Sequence, residues 1–258
     1  GALKQVSVSC GDSHVWGVNS GDNIYYRAGK DGSWVQIGGK LKWVSVSCDG
    51  SHVWGVNSAN DIYYRNGKNG SWVHIPGKLI QVSVSKDGSH VWGVNSGNQI
   101  YYRNSKNGSW TNIGGALKQV SISCDGSHVW GVNSSNQIYY RNGKNGSWTQ
   151  IGGALKNVSV SCDGSHVWGA NAGNDIYYRT GKDGGWIQIP GKLKQVSVEE
   201  DSDSASDPEE TSTDSHVWGV NSSDNIYYRN GQNGSWIQIG GALKQVSVSC
   251  GDSHVWGV

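Results

Sequence analysis

The sequence predicts an all-β fold, a β-propeller of six blades with four antiparallel strands each, and three observations predict it. The first is a period. "SHVWGVNS" opens at Ser13 and returns with small changes at Ser51, Ser89, Ser127, Ser165 and Ser215, and cut short at Ser253. Trp16, Trp54, Trp92, Trp130 and Trp168 are each 38 residues apart, Trp218 and Trp256 are 38 apart again, and only the step from Trp168 to Trp218 is longer, at 50. A fixed period of this size marks a solenoid, a propeller or a tandem array. The second observation is the alternation of β-prone runs with turn residues, with no helical period anywhere. The third is composition: 258 residues with 35% hydrophobic content fill one large β domain, and no apolar run approaches the ~20 residues of a membrane span.

Within one unit, residues 117 to 154, the runs in order are "LKQVSISC", "SHVWGVN", "QIYYRNG" and "SWTQIGG". "DG" separates the first pair, "NSSN" the second and third, and "KNG" the last pair; Asn and Gly tolerate positive φ, so these are hairpin signals. Four short strands in about 38 residues match one propeller blade, close to the ~40 residues of other propeller repeats. Residues 1 to 240 hold six such units, and residues 1 to 258 are read as a single propeller domain. Blade-on-blade packing predicts that both faces of every strand are substantially buried.

The ends do not fit a ring of six. "GALKQVSVSCGDSHVWGV" fills residues 1 to 18 and recurs unchanged at 241 to 258, so the first two strands occur seven times and the last two six times. In order of preference, the sequence suggests a window from a longer array, closure of the ring with one copy displaced, or a seventh, partial blade. The chain contains no Met, even at position 1, which points to a processed product or an excised fragment.

The unit "DGSHVWGVNSSNQIYYRNGKNGSWTQIGGALK" resembles the tectonin repeat, with its Gly-x-Leu strand, Asp-Gly turn, Val-Trp-Gly-Val-Asn, Ile-Tyr-x-Arg and late Trp. The resemblance covers nearly the whole chain. It implies a β-propeller lectin, of the kind that includes fish-egg lectins and some tachylectins, binding carbohydrates on microbial or cell surfaces without catalysis. An acidic insertion and the near-identity of the repeats depart from the family pattern.

The residues themselves also oppose catalysis. All four Glu residues lie in the insertion, and the acids of the repeats are Asp at turn positions such as Asp49, Asp87 and Asp125, so the body lacks paired carboxylates for acid/base or glycosidase work. A Ser next to a His in "SHVW" points to the opposite side of a strand and makes no triad. The five Cys (Cys10, Cys48, Cys124, Cys162 and Cys250) share one repeat position, where the third unit has Lys86. That pattern reads as a small residue ending the first strand rather than a disulfide framework, and no spacing suggests zinc.

Three residue types recur as binding candidates. All six Arg follow "IYY": Arg27, Arg65, Arg103, Arg141, Arg179 and Arg229. Each either stacks on an aromatic ring and satisfies loop carbonyls, or donates to sugar hydroxyls and anionic groups. Antiparallel topology puts them on one rim with His14, His52, His90 and His128 and with Trp34, Trp72, Trp110, Trp148, Trp186 and Trp236; Asn19, Ser20 and Asn23 fall on the other. Sugar sites need an aromatic plane and convergent polar groups, which the first rim supplies. Six equal sites are expected there. Blade packing for Trp and loop hydrogen bonds for His are the structural alternatives.

The insertion "EEDSDSASDPEETSTD", residues 199 to 214, holds eight acidic residues and no basic ones, which predicts a mobile loop. Without those eight, the 20 Asp and Glu fall to 12 against 21 Lys and Arg, leaving a basic body. The expected partners are glycans, among them lipopolysaccharide and other anionic surface sugars; nucleic acid fits less well because the cations are spread by repetition. No cofactor is expected, with calcium at the acidic loop left open. So is homo-oligomerisation. The sequons at Asn69, Asn107, Asn145 and Asn233 are the "NGS" hairpin turn itself. The function expected is a multivalent, non-enzymatic, secreted lectin, with a scaffold propeller or a calcium- or mineral-associated protein as alternatives.

Overall fold

The computed structural model describes residues 3–10, 13–29, 31–200, 215–248 and 255–257. Six four-stranded antiparallel sheets follow one another along the chain, each with its strands in sequence order. The first consists of Leu3–Val8, Val15–Asn19, Asn23–Arg27 and Val35–Lys40, and the pattern repeats to Gln195–Glu200, Ser215–Val220, Asn225–Asn230 and Ile237–Ala242. No helix of the described residues is long and apolar enough to cross a membrane.

The first strand of each sheet packs against the first strand of the next, so these strands surround the axis. The duplicated terminus completes the circle. Val246–Val248 and Val255–Gly257 form a two-stranded sheet whose first strand packs against both Gln195–Glu200 and Leu3–Val8. Of the three arrangements considered for the ends, the structure has the least favoured one, a seventh, partial blade. The ring therefore has seven angular positions, six filled by complete blades.

Side-chain amides join the blades where backbone ladders cannot. Gln5 donates from Nε2 to the Val44 carbonyl and accepts the Val44 N–H on Oε1, both at 2.8 Å. Gln81 and Val120, Gln119 and Val158, and Gln195 and Val246 repeat this exchange. In the second blade Trp43 donates to Val82 O at 3.0 Å instead. Where Gln occupies this position, one inner-strand carbonyl and one N–H are thus paired with the neighbouring blade, as buried polar groups must be; in the fifth blade Asn157 donates instead to Lys194 O at 2.9 Å.

The core lies in layers between blades. Trp16, Trp54, Trp92, Trp130 and Trp168 are fully buried, each against the second Tyr of its own "IYY". Burial is not uniform across a blade. The outer strand is largely exposed, with Val35, Val73, Ile187 and Ile237 at 43% to 55%, because it lies at the perimeter where blades diverge. This corrects the expectation that every strand is covered on both faces.

The cysteines also differ from expectation. Cys10 is bonded to Cys48 and Cys124 to Cys162, each pair 38 residues apart with Cα atoms 4.4 and 4.6 Å apart. Equivalence, which argued against pairing in the linear sequence, is what permits it in a ring: equivalent residues of adjacent blades are neighbours. Lys86 falls between the two pairs, and Cys250 lies outside the described residues. The start of the insertion, Glu199 and Glu200, continues the inner strand and pairs with His216 and Ser215; the expected mobile loop, from residue 201 on, lies outside the described residues, as does any calcium site on it.

Candidate functional site

The His, Arg and Trp of the first rim acquire distinct surroundings. His14, His52, His90 and His128 each place Nδ1 3.0 to 3.2 Å from the hydroxyl of Tyr26, Tyr64, Tyr102 or Tyr140 in the same blade. Each ring also covers the Asp-Gly turn of the next blade. A Cβ on Gly88, whose φ is +72°, would stand 2.3 Å from Cγ of His52, so that turn admits only glycine. Burial lowers the His14 imidazole below its ordinary pKa, with Asp49 opposing. In the fifth blade Ser165 Oγ instead lies 2.5 Å from Nδ1 of His166, a Ser–His contact that the strand-parity argument did not expect.

Arginine holds the third hairpin. Arg65 donates from Nε to Gly67 O at 3.0 Å and from a terminal nitrogen to Lys68 O at 2.5 Å. Arg103 and Arg141 do the same to Ser105 and Lys106 and to Gly143 and Lys144, and Arg179 and Arg229 bond equivalent carbonyls. Each guanidinium also lies over the late Trp of its own blade: Arg27 over Trp34, Arg65 over Trp72, Arg103 over Trp110, Arg141 over Trp148, Arg179 over Trp186 and Arg229 over Trp236, at 5.5 to 5.9 Å. The structure therefore brings Arg and Trp together. It also sets Trp72, Trp110, Trp148, Trp186 and Trp236 into the space between blades, against a glycine of the preceding outer strand.

There the indole meets the preceding blade. Trp72 donates from Nε1 to Gly38 O at 2.9 Å, Trp148 to Gly114 O at 3.1 Å and Trp186 to Gly152 O at 2.7 Å. A cleft opens beside it. Between the second and third blades its walls are Ile62, Gly77, Lys78 and Leu79 on one side and Asn95, Tyr101 and Trp110 on the other, enclosing about 210 Å³. The same positions enclose about 250 Å³ around Tyr177 and Trp186 and about 190 Å³ around Tyr227 and Trp236.

Among the described residues the underlying glycine–Trp contact recurs at five joins, because a cleft needs an outer strand from one blade and a Trp from the next. The missing Cβ of Gly39, Gly77, Gly115, Gly153 and Gly191 would each lie 3.2 to 3.3 Å from the following Trp, whereas that of Gly241 would meet only Ile226. Trp34, preceded by the two-stranded sheet, is 40% exposed. The sequence reasoning missed the first Tyr of "IYY", the Asn of "VWGVN" and this glycine. Their recurrence was visible, but the partners that turn them into one cleft lie a whole repeat away.

On the other end, a wide hollow of about 750 Å³ lies above His90, Tyr102 and the Asp125–Gly126 turn, open to Lys144. The turn acids here are structural. Burial pushes the Asp87 carboxyl up, but hydrogen bonds from the Ser89 hydroxyl and N–H and from the Ser85 hydroxyl outweigh it and bring the pKa down to about 2. Asp49 and Asp125 shift the same way. A depressed folded-state pKa gives stability that is present above the unfolded value and lost as pH falls through the folded one. The urea midpoint is therefore expected to fall as pH drops from about 4 toward about 2, and Asp87→Asn is expected to flatten that dependence. Among the described residues no group of three or more His, Cys, Asp or Glu could hold a metal ion.

Six four-stranded blades in a ring, with aromatic clefts at the joins, define a repeat-built β-propeller. The sequence profile of the tectonin domain matches residues 2–147 and 143–258, and the chain belongs to that family. No curated protein matches it. Among solved structures it is similar to the β-propeller domain of Cps50 (Swd1) from Myceliophteria thermophila, with a TM-score of 0.69 over 95% of this chain and 89% of that one, at 8% identity. At that identity the likeness concerns the fold alone.

Proposed function

We propose that the protein is a multivalent, non-enzymatic carbohydrate-binding protein whose sites are the five inter-blade clefts. The observation that carries this reading is the recurrence of one cleft with a half-buried Tyr, a Trp edge and an Asn amide converging on it. An aromatic face suits the C–H face of a pyranose, and an amide suits its hydroxyls. Volumes of about 190 to 250 Å³ lie below the roughly 300–1,000 Å³ of drug-sized pockets, which fits a single sugar ring. The two disulfides fit an oxidising, extracellular setting for binding microbial or cell-surface glycans.

Equal weak sites on one rigid ring raise the effective concentration of each for a spaced ligand, so avidity exceeds single-site affinity by ~100-fold or more where spacing matches. Calorimetry with the soluble sugar that competes best for a glycan array is expected to give five sites per chain. Tyr101→Ser alone is expected to weaken array binding modestly. The five-fold change at Tyr63, Tyr101, Tyr139, Tyr177 and Tyr227 is expected to abolish it, with melting behaviour checked alongside. Undiminished binding by the folded five-fold variant would exclude the clefts. In that case the His-lined hollow becomes the site, tested by His90→Ala and its equivalents.

A further inference from the structure

Outside the clefts, one end of the ring gathers a set of lysines. At the start of the inner strands, which pack side by side around the ring, stand Lys4, Lys42, Lys118, Lys156, Lys194 and Lys244; the third blade has Ile80. Each of the first five directs Nζ to the left-handed residue of its own blade's second turn. Lys4 meets Asp22, Lys42 meets Asn60, Lys118 meets Asn136 at 2.6 Å, Lys156 meets Asn174 and Lys194 meets Asp224. Lys244 reaches back to the same Asp224.

The neutralisation is one-sided. Asp22 and Asp224 both serve the sector where the sixth blade, the partial blade and the first blade meet. Lys42, Lys118 and Lys156 have only amide oxygens. Asp61 and Asp175, the next residues along from two of those amides, are held by Lys78 and Lys192 of the outer strands. Six ammonium groups thus face two carboxylates at this end of the ring, in a chain whose net charge is +1. Burial lowers the affinity of Lys42, Lys118 and Lys156 for their protons. At Lys156 the neighbouring Lys118 and Lys194 act in the same direction, so these amines sense one another. At Lys42 Asp22 opposes the shift and Lys4 adds to it.

We propose that this end of the ring binds a compact polyanion bearing several phosphate groups on a small ring, centred on the adjacent Lys118 and Lys156. Each ammonium is a point charge with three donors, of which the Asn amide takes one, so donors remain for phosphate oxygens. Neighbouring amines match neighbouring phosphates on a small ring, whereas a single planar carboxylate brings one charge. The site is separate from the clefts and stands or falls without them.

Inositol hexakisphosphate is the probe. Calorimetry is expected to give one molecule per chain, with affinity falling as salt rises and with orthophosphate at least about tenfold weaker. The decisive variant is Asn136→Asp with Asn174→Asp. It keeps every lysine and copies the Lys194–Asp224 pairing that the fold already contains, yet supplies two internal carboxylates; affinity is expected to drop by roughly tenfold or more with melting unchanged. Lys118→Arg with Lys156→Arg is expected to retain binding. Lys106→Gln with Lys144→Gln, on the opposite rim, is expected to leave it unaltered. Capture on phosphatidylcholine vesicles containing phosphatidylinositol bisphosphate, displaced by the soluble probe, would extend the site to a lipid headgroup, and solution binding without capture assigns it to the free form. Failure of the hexakisphosphate to bind, binding indifferent to the Asn-to-Asp changes, or equal loss in the opposite-rim variant would overturn the proposal.

Discussion

Trp92→Ala is expected to lower the unfolding free energy by about 3–5 kcal/mol, the range for truncating a fully buried large aromatic. The side chain has no exposed surface, meets Tyr102 of its own blade edge-on at 5.3 Å, and meets Trp148 of the next blade at 6.3 Å. The cavity would open onto two blades at once. Relaxation is limited because the flanking strands are fixed by ladders on both sides. The indole N–H of Trp92 bonds no protein group, so its removal costs no hydrogen bond within the protein. The comparison is Trp34→Ala, at a residue 40% exposed, where the loss is expected to be much smaller. Urea denaturation followed by far-ultraviolet circular dichroism measures both. Equal midpoints for the two variants would contradict the burial of Trp92.

Reduction of the disulfides is the second large effect. Each bridge closes a loop of 38 residues, for which the chain-entropy account gives about 4 kcal/mol per bridge. One clamps the first blade to the second and the other the fourth to the fifth, so their loss frees different joints of the ring and the effects are expected to add. A melting temperature that falls with reductant in the parent but not in a variant with Cys10, Cys48, Cys124 and Cys162 all changed to Ser is the expected result. Intact mass under alkylation, with and without reductant, counts the bonded thiols. Four freely alkylated cysteines at these positions in the untreated protein would refute the bridges.

What could be read in the linear chain was whatever is encoded within one repeat. Alternating β-prone runs and turn residues gave the four strands of "LKQVSISC" to "SWTQIGG" because strand pairing across short hairpins is local. The need for Asn or Asp in the second turn is likewise local: Asn60, Asn98, Asn136 and Asn174 hold φ of 62° to 67°, a conformation these residues tolerate better than most. The "VWGV" tryptophans marked the period in the sequence, and their complete burial between blades is a finding of the structure. The recurrence of Arg after "IYY" is a repeat-level signal with two possible roles, and the structure shows the first, closing the hairpin carbonyls and stacking on Trp.

The tertiary structure decided everything that depends on contacts between repeats. How far each blade is rotated from the last is set by packing of Trp, Tyr and Leu across the joint, and no residue within a repeat states how many joints close a circle. The terminal copy therefore became a seventh, two-stranded position, and among the described residues the glycine–Trp contact recurs at five joins. The same rotation places Cys10 beside Cys48 and Lys118 beside Lys156, turning a periodic column in the sequence into a bond in one case and a pair of neighbouring charges in the other. Sequence distance is 38 residues in both instances. Around the axis it is a single step.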